Sequence, residues 1–181
     1  FLHGVRVPEA LVTTPAEARV WVKAAAESGM LGELKPARWC PQNPTPAQTV
    51  ALANNDLEVL YGGAAGGGKS SWLLMGALQY VDVPGYAAIL FRRTFTDLSL
   101  PGAIMDRARE WLQNTDAHWN DKEKRWTFPS GASLSFGYLE TENDKYRYQS
   151  AEFLFCGFDE LTAFPESQYT YLLSRLRRKA G

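Results

Sequence analysis

The sequence predicts an α/β fold, a mostly parallel central sheet flanked by helices, with a β-hairpin insertion. Three observations lead there. From Leu57 onward, short apolar runs alternate with stretches of helical periodicity. A glycine-rich loop joins the first apolar run to the first of those helices. Strands that alternate with helices close into parallel sheets through right-handed crossovers. The chain has 181 residues, enough for one domain with an appendage. Its apolar share of 45% and charged share of 22% exclude wholesale disorder. A formal net charge of −1 argues against a module whose whole surface binds nucleic acid, while leaving room for a local basic track.

Residues 1–45 read as a helical appendage followed by a proline-rich connector, and residues 46–181 as the core. Thr14-Pro15-Ala16-Glu17 carries an N-cap, a proline at the first helical position and a reciprocal glutamate. That helix is expected to end near Gly29. The connector, residues 35–46, holds four of the ten prolines. Thr45-Pro46-Ala47-Gln48 repeats the capping pattern and opens a short helix to about Asn54. Residues 57–61 read as a first strand. Leu73, Leu74, Ala77, Leu78 and Val81 recur at helical spacing and predict a helix over 69–81.

Residues 86–91 form the second apolar run and the longest. Its six residues fall far short of the ~18 a membrane span needs. Ile104, Met105, Ala108, Trp111 and Leu112 mark the next helix. Trp126/Phe128 and Leu134/Phe136 alternate on either side of Pro129-Ser130-Gly131, a hairpin signal. Residues 153–158 read as a third strand. Gly157 within it implies either close backbone packing or a bend. Tyr169, Leu172, Leu173 and Leu176 line a last helix. Cys40 and Cys156 match no disulfide framework or metal spacing and read as inert reduced thiols. His3 and His118 carry no partner pattern. There is no signal-like start, and a phenylalanine at the first position reads as a fragment.

The strongest chemical signal is Gly63-Ala64-Ala65-Gly66-Gly67-Gly68-Lys69-Ser70, a full match to G-x-x-x-x-G-K-[ST] between a strand and a helix. Phosphate is a multiply charged anion that needs several donors converging at short range. Glycines let successive N–H groups turn inward at a helix N-terminus, whose dipole also favours negative charge. Lys69 supplies a mobile positive charge for the β- and γ-phosphates, and the Ser70 hydroxyl can ligate Mg²⁺. With Ser71, these residues are the expected ATP-binding set.

The fate of a bound nucleotide depends on an acid at the carboxyl end of another parallel strand. Phe153-Leu154-Phe155-Cys156-Gly157-Phe158-Asp159-Glu160 provides the pattern. Asp159 is expected in the Mg²⁺ shell beside Ser70, and Glu160 as the group that orients a water against the γ-phosphate. The catalytic pair is therefore Glu160 and Lys69. A glutamate next to the aspartate favours hydrolysis over phosphate transfer to a small acceptor. The fold expectation sharpens to a P-loop NTPase of the ASCE type, with the phosphate- and acid-bearing strands on either side of one intervening strand.

Leu60-Tyr61-Gly62-Gly63 through Ser70 resembles the Walker A segment of the large terminase subunits of tailed bacteriophages. Phe91-Arg92-Arg93-Thr94, Phe128-Pro129-Ser130-Gly131, Tyr146-Arg147-Tyr148-Gln149 and Phe158-Asp159-Glu160-Leu161-Thr162 resemble the same family. The resemblance covers roughly residues 45–178. It implies an N-terminal ATPase half that threads double-stranded DNA into a procapsid in the host cell cytoplasm, with ATP and Mg²⁺ as cofactors. It also implies a homo-oligomeric ring on a portal protein, assisted by a small terminase subunit, with no membrane involved. For the fragment alone, a monomer stays open. Such proteins end in a lid and a nuclease domain, which this sequence is not expected to include, so no nuclease activity is expected.

By its place upstream, Gln48 falls on the family's adenine-contacting glutamine, while its capping position offers a second role. The loop lacks the arginine that many terminases carry there. A charge-stabilising arginine must then come from elsewhere. Arg92 and Arg93, at a strand end, are candidates for phosphate sensing or DNA contact, and Arg147 for reaching a neighbouring subunit. Ordinary surface roles stand beside each. Arg175, Arg177, Arg178 and Lys179 read either as a helix end offsetting its dipole or as a DNA track. Two rival functions remain, a P-loop kinase for a small acceptor and a non-catalytic nucleotide-binding assembly module.

Overall fold

The computed structural model describes residues 38–54, 56–64 and 66–177. The predicted helix at 14–29 lies outside them, as do Ala65, Arg178 and Lys179. The chain divides into two compact units, residues 1–72 and 73–181.

In the first unit, helix α1 (Pro46–Leu52) begins as the sequence predicts. Thr45 caps it, its Oγ1 accepting from the Gln48 N–H while the Gln48 Oε1 accepts from the Thr45 N–H at 2.8 Å. Residues 57–61, expected to be a strand, do not belong to one. Leu57 and Leu60 are 73% and 82% exposed. A strand is defined by the neighbour that takes up its N–H and C=O groups, so an apolar run supplies the propensity but not the ladder. Tyr61 instead stacks on Trp72, with ring centroids 4.7 Å apart. Helix α2 (Lys69–Leu78) comes directly after the glycine-rich loop and runs on into the second unit.

The second unit is built on a five-stranded sheet. Its strands are β1 (Ala87–Arg92), β2 (His118–Asn120), β3 (Arg125–Thr127), β4 (Ser133–Tyr138) and β5 (Phe155–Phe158), in the order β2-β3-β4-β1-β5. β1 pairs in parallel with β4 and with β5, whereas β2–β3 and β3–β4 are antiparallel. The sheet is thus mixed rather than mostly parallel. The hairpin around Gly131 explains the difference. Gly131 takes φ +82°, its N–H donates to the Phe128 carbonyl, and β3 is laid directly against β4. The ribbon therefore extends the central sheet instead of standing off as an insertion. The expected order around one intervening strand is not met either, because 57–61 is not among the sheet's strands.

Helices α3 (Phe95–Ser99), α4 (Ile104–Leu112) and α5 (Glu166–Leu173) complete the unit, together with 3₁₀ helices at Glu142–Tyr148 and Leu161–Ala163. On one face of the sheet, Ile89 and Phe91 are buried with Leu139, Phe153 and Leu172. On the other, Gly157 resolves the choice left by the sequence. A Cβ there would stand 2.7 Å from Leu90 Cδ2 and 2.8 Å from Leu73 Cδ1. The glycine is present because side chains of α2 and β1 pack hard against the β5 backbone. Beyond β5, Leu176 forms a parallel bridge to Phe153. No helix among the described residues is long and apolar enough to cross a membrane.

Candidate functional site

The glycine-rich loop lies in the first unit. Gly63, Gly66 and Gly68 take φ values of +148°, +76° and +73°, which L side chains rarely adopt. Three such residues within six positions bend the backbone tightly ahead of α2, and the Gly67 N–H donates to the Ala64 carbonyl at 3.1 Å. Lys69 Nζ folds back and donates to the Gly63 and Ala64 carbonyls at 3.0 and 2.8 Å. A phosphate oxygen can replace such neutral, exposed acceptors with gain, since it adds the attraction of opposite charges to the hydrogen bond. Ser70 is half-buried and Ser71 buried in the first turn of α2.

Gln48 has a further partner that the sequence did not reveal. While its Oε1 closes the capping box, its Nε2 donates to the Gly68 carbonyl at 2.9 Å. The same carbonyl accepts the Trp72 N–H at 2.9 Å. Gln48 therefore ties α1 to the residue at which the loop becomes a helix. A Cβ on Gly68 would meet Gln48 Nε2 at 2.7 Å, so the glycine is required by contact as well as by φ.

The acid pair Asp159 and Glu160 lies in the second unit, at the end of β5. Phe91 and Phe158 are register partners in the parallel ladder, and their rings stack at 5.4 Å. The residue after each is consequently a neighbour of the other. Asp159 N–H donates to the Phe91 carbonyl at 2.9 Å, and Arg92 Nε donates to Asp159 Oδ2 at 2.9 Å. Arg92 Nη1 reaches Glu160 Oε2 at 3.1 Å, so one guanidinium holds both carboxylates. Asp159 is 4% exposed and Glu160 60%. Glu160 sits at φ 59°, ψ 55°, a left-handed conformation that costs a non-glycine residue roughly 1–2 kcal/mol. Strain of this kind recurs at functional turns.

The remaining candidates are dispersed. Arg93 donates through Nη1 to the Leu139 carbonyl and to Gln168 Oε1, and through Nη2 to the Glu140 carbonyl at 2.7 Å. Gln168, fully buried, passes the connection to the Thr141 carbonyl. Arg93 thus fastens the end of β1 to the loop after β4 and to α5. Arg147 pairs with Asp144 at 3.0 Å and lies over the Tyr138 ring, half its side chain exposed. Arg175 donates to the Gln149 carbonyl. Burial pushes the Cys156 thiol up to about 12 and raises the Cys40 thiol, which suits the inert role expected of both.

Among the described residues no cluster of three His, Cys, Asp or Glu could hold a metal ion. The Asp159 carboxylate and the Ser70 hydroxyl are each oxygen donors of the kind that Mg²⁺ takes beside nucleotide phosphates and water.

Comparison with known proteins adds one finding. The family model described as "Terminase large subunit, T4likevirus-type, N-terminal" matches residues 60–181, well over half of the chain. No curated protein and no solved structure matches.

Proposed function

The chain belongs to the family of terminase large subunits, T4-like N-terminal type, which acts in phage DNA packaging, and on that premise we propose that it is the ATP-hydrolysing motor domain that drives double-stranded DNA into a procapsid. The observation that carries this reading is the loop of residues 63–70. Its glycines adopt positive-φ turns of the kind from which anion-binding nests are built, and its lysine rests on neutral acceptors that a triphosphate can displace. The proposed fold is a P-loop NTPase core of the ASCE type.

In the proposed reaction, Lys69 moves from the Gly63 and Ala64 carbonyls to the β- and γ-phosphate oxygens. Glu160 orients a water in line with the γ-phosphate and takes up its proton as the new P–O bond forms and the bond to ADP breaks. Mg²⁺, when bound, would offset phosphate charge, and Asp159 and Ser70 are the residues that would hold it. Gln48 either contacts adenine or keeps to its capping and loop-tethering bonds. An arginine supplied by a neighbouring subunit would complete the charge stabilisation, which makes slow hydrolysis the expectation for this chain alone. Double-stranded DNA, a portal protein and the small subunit are the proposed partners, in a ring on the portal.

The test is phosphate release by the purified chain with Mg²⁺ and ATP, with and without duplex DNA, at several salt concentrations. Slow release, stimulated by DNA and suppressed steeply by salt, supports the motor reading. Stoichiometric phosphorylation of a small acceptor without free phosphate would convert it to a kinase. Tight nucleotide binding with no turnover under any condition would leave an assembly module.

A further inference from the structure

We propose that the open groove between α4 and the edge strand β2 is a phosphate-binding site, and that the phosphate it takes belongs to a DNA backbone. Naming DNA rests on the proposed packaging role, whereas the phosphate site rests on the groove alone, which lies within the second unit. The groove has a volume of about 370 Å³, and its walls are Arg109, Gln113, Ala117, His118, Trp119 and Trp126.

Local order builds those walls. α4 buries Ile104, Met105, Ala108, Trp111 and Leu112. Arg109 and Gln113, four positions apart, stand together beside that stripe at the carboxyl end of the helix. β2 is the last strand on its side of the sheet, so one of its flanks has no strand beside it. Trp119 is the register partner of Trp126, their ring centroids 5.3 Å apart, and its ring lies 6.2 Å from that of Phe136. Its Nε1 donates to Asp121 Oδ1 at 3.3 Å. The indole is thus a fixed floor, and the Arg109 guanidinium carbon stands 5.7 Å from its centroid. The ring's quadrupole attracts the cation and leaves its N–H groups to find acceptors elsewhere.

What the groove lacks is such an acceptor. Arg109, Gln113 and His118 make no side-chain hydrogen bond or ion pair among the described residues, and no carboxylate lines the groove. Arg92, Arg93, Arg125, Arg147 and Arg175 each have an oxygen partner. Asp121, whose carboxylate feels the Arg109 charge, is already held by Lys124 Nζ at 3.0 Å. Three side chains able to donate, from two sides of one cavity, therefore stand uncommitted. A planar carboxylate is satisfied by a single guanidinium fork, whereas a tetrahedral phosphate accepts from several directions. Arginine and glutamine are also among the side chains that contact nucleic-acid phosphates.

Strength decides between a free and a polymeric phosphate. Arg109, Gln113 and His118 are exposed, and the carboxyl end of α4 opposes an anion through its dipole. A single phosphate would bind weakly there. Duplex DNA carries one negative charge for about every 1.7 Å of its axis, so a weak contact adds to others on the same molecule. It is also released easily, which suits a protein that moves along its substrate.

The test is binding of a short labelled duplex, followed by fluorescence anisotropy over a range of salt. Arg109→Gln should weaken the complex about two- to fivefold, the effect of one exposed charge contact. It should also lower the slope of log K against log salt by roughly 0.9, one phosphate's share. Gln113→Ala removes no charge, so a general electrostatic field predicts no change, while the groove predicts a weaker complex. Both side chains are exposed, and neither change should move the thermal midpoint. A loss confined to Arg109→Gln, or no loss in either variant, overturns the proposal. A second readout uses the unaltered chain. In ¹⁵N-edited spectra, inorganic phosphate at constant ionic strength and the duplex should each shift Arg109 Nε–H and Trp119 Nε1–H. Absence of a shift with inorganic phosphate overturns the site. Shifts with phosphate but none with bound duplex overturn the assignment to DNA. Shifts with phosphate in a chain that binds no duplex would instead keep the phosphate site and discard the packaging reading.

Discussion

In the loop of residues 63–70 the lysine leans on two uncharged backbone carbonyls, whereas at the end of β5 both carboxylates lean on a charged guanidinium. The lysine's acceptors lie five and six positions upstream in the same loop, so that half of the site is encoded by consecutive residues. The acids' partner lies 67 positions away from Asp159 and arrives through strand register. The two halves therefore differ in what disturbs them. The loop depends on local φ values and on Gln48. The acid pair depends on the β1–β5 ladder and on whatever packs against it. Neutral contacts exchange readily for phosphate, while an ion pair must be taken apart.

The largest effect should come from the acid half. Glu160→Gln is expected to lower ATP turnover by on the order of 10²–10⁴, the usual weight of a positioned base, with nucleotide binding retained. Phosphate release and equilibrium binding measured on the same preparation check both parts, and unchanged turnover would remove Glu160 from the chemistry. The matching change in the loop half is Lys69→Ala. It should weaken nucleotide binding roughly 10–100-fold, since a hydrogen bond to a charged group contributes about 1.5–3 kcal/mol. In the free protein Lys69 donates to exposed carbonyls that water can serve equally well, so stability should move by less than about 0.5 kcal/mol. A large fall in stability would show that the lysine is structural.

Smaller effects probe the supports of each half. Gly157→Ala places a methyl against Leu90 and Leu73, and overpacking of that kind costs about 1–3 kcal/mol. Denaturant titration should show that loss, with part of it recovered in Gly157→Ala/Leu73→Ala. An additive double variant would mean that the two side chains do not collide. Gln48→Ala removes half of a capping box and the tether to Gly68, for a cost of about 1 kcal/mol. Its midpoint shift should be accompanied by weaker nucleotide binding. Lowered stability with unchanged affinity would limit Gln48 to capping its own helix.

The same division explains how much residue order alone reveals. The capping box at Thr45–Gln48, the start of α2, the apolar run of β1 and the hairpin at Gly131 are each signalled within a few consecutive residues, and all are present. Residues 57–61 carry a strand's composition without the neighbour that makes a strand. β2 escapes prediction because His118-Trp119-Asn120 has no alternation of its own and becomes a strand by pairing with β3. α3 escapes it because its five residues are too few for periodicity, and its one local sign is Thr94 accepting from the Asp97 N–H. In the site, Arg92 is a candidate from its place at a strand end, yet its hold on two acids comes from the pairing of Phe91 with Phe158. The bond from Gln48 to Gly68 spans twenty positions and leaves no trace in either segment alone.

All of this converges on whether loop and acids serve one nucleotide, and the structure of the chain with Mg²⁺ and a non-hydrolysable ATP analogue is the direct test. Convergence requires Lys69 Nζ to have left the Gly63 and Ala64 carbonyls for the β- and γ-phosphates. It also requires Asp159 in the Mg²⁺ shell and Glu160 detached from Arg92 and turned toward the γ-phosphate. A triphosphate seated in the loop while Asp159 and Glu160 remain together on Arg92, facing a different surface, would contradict it.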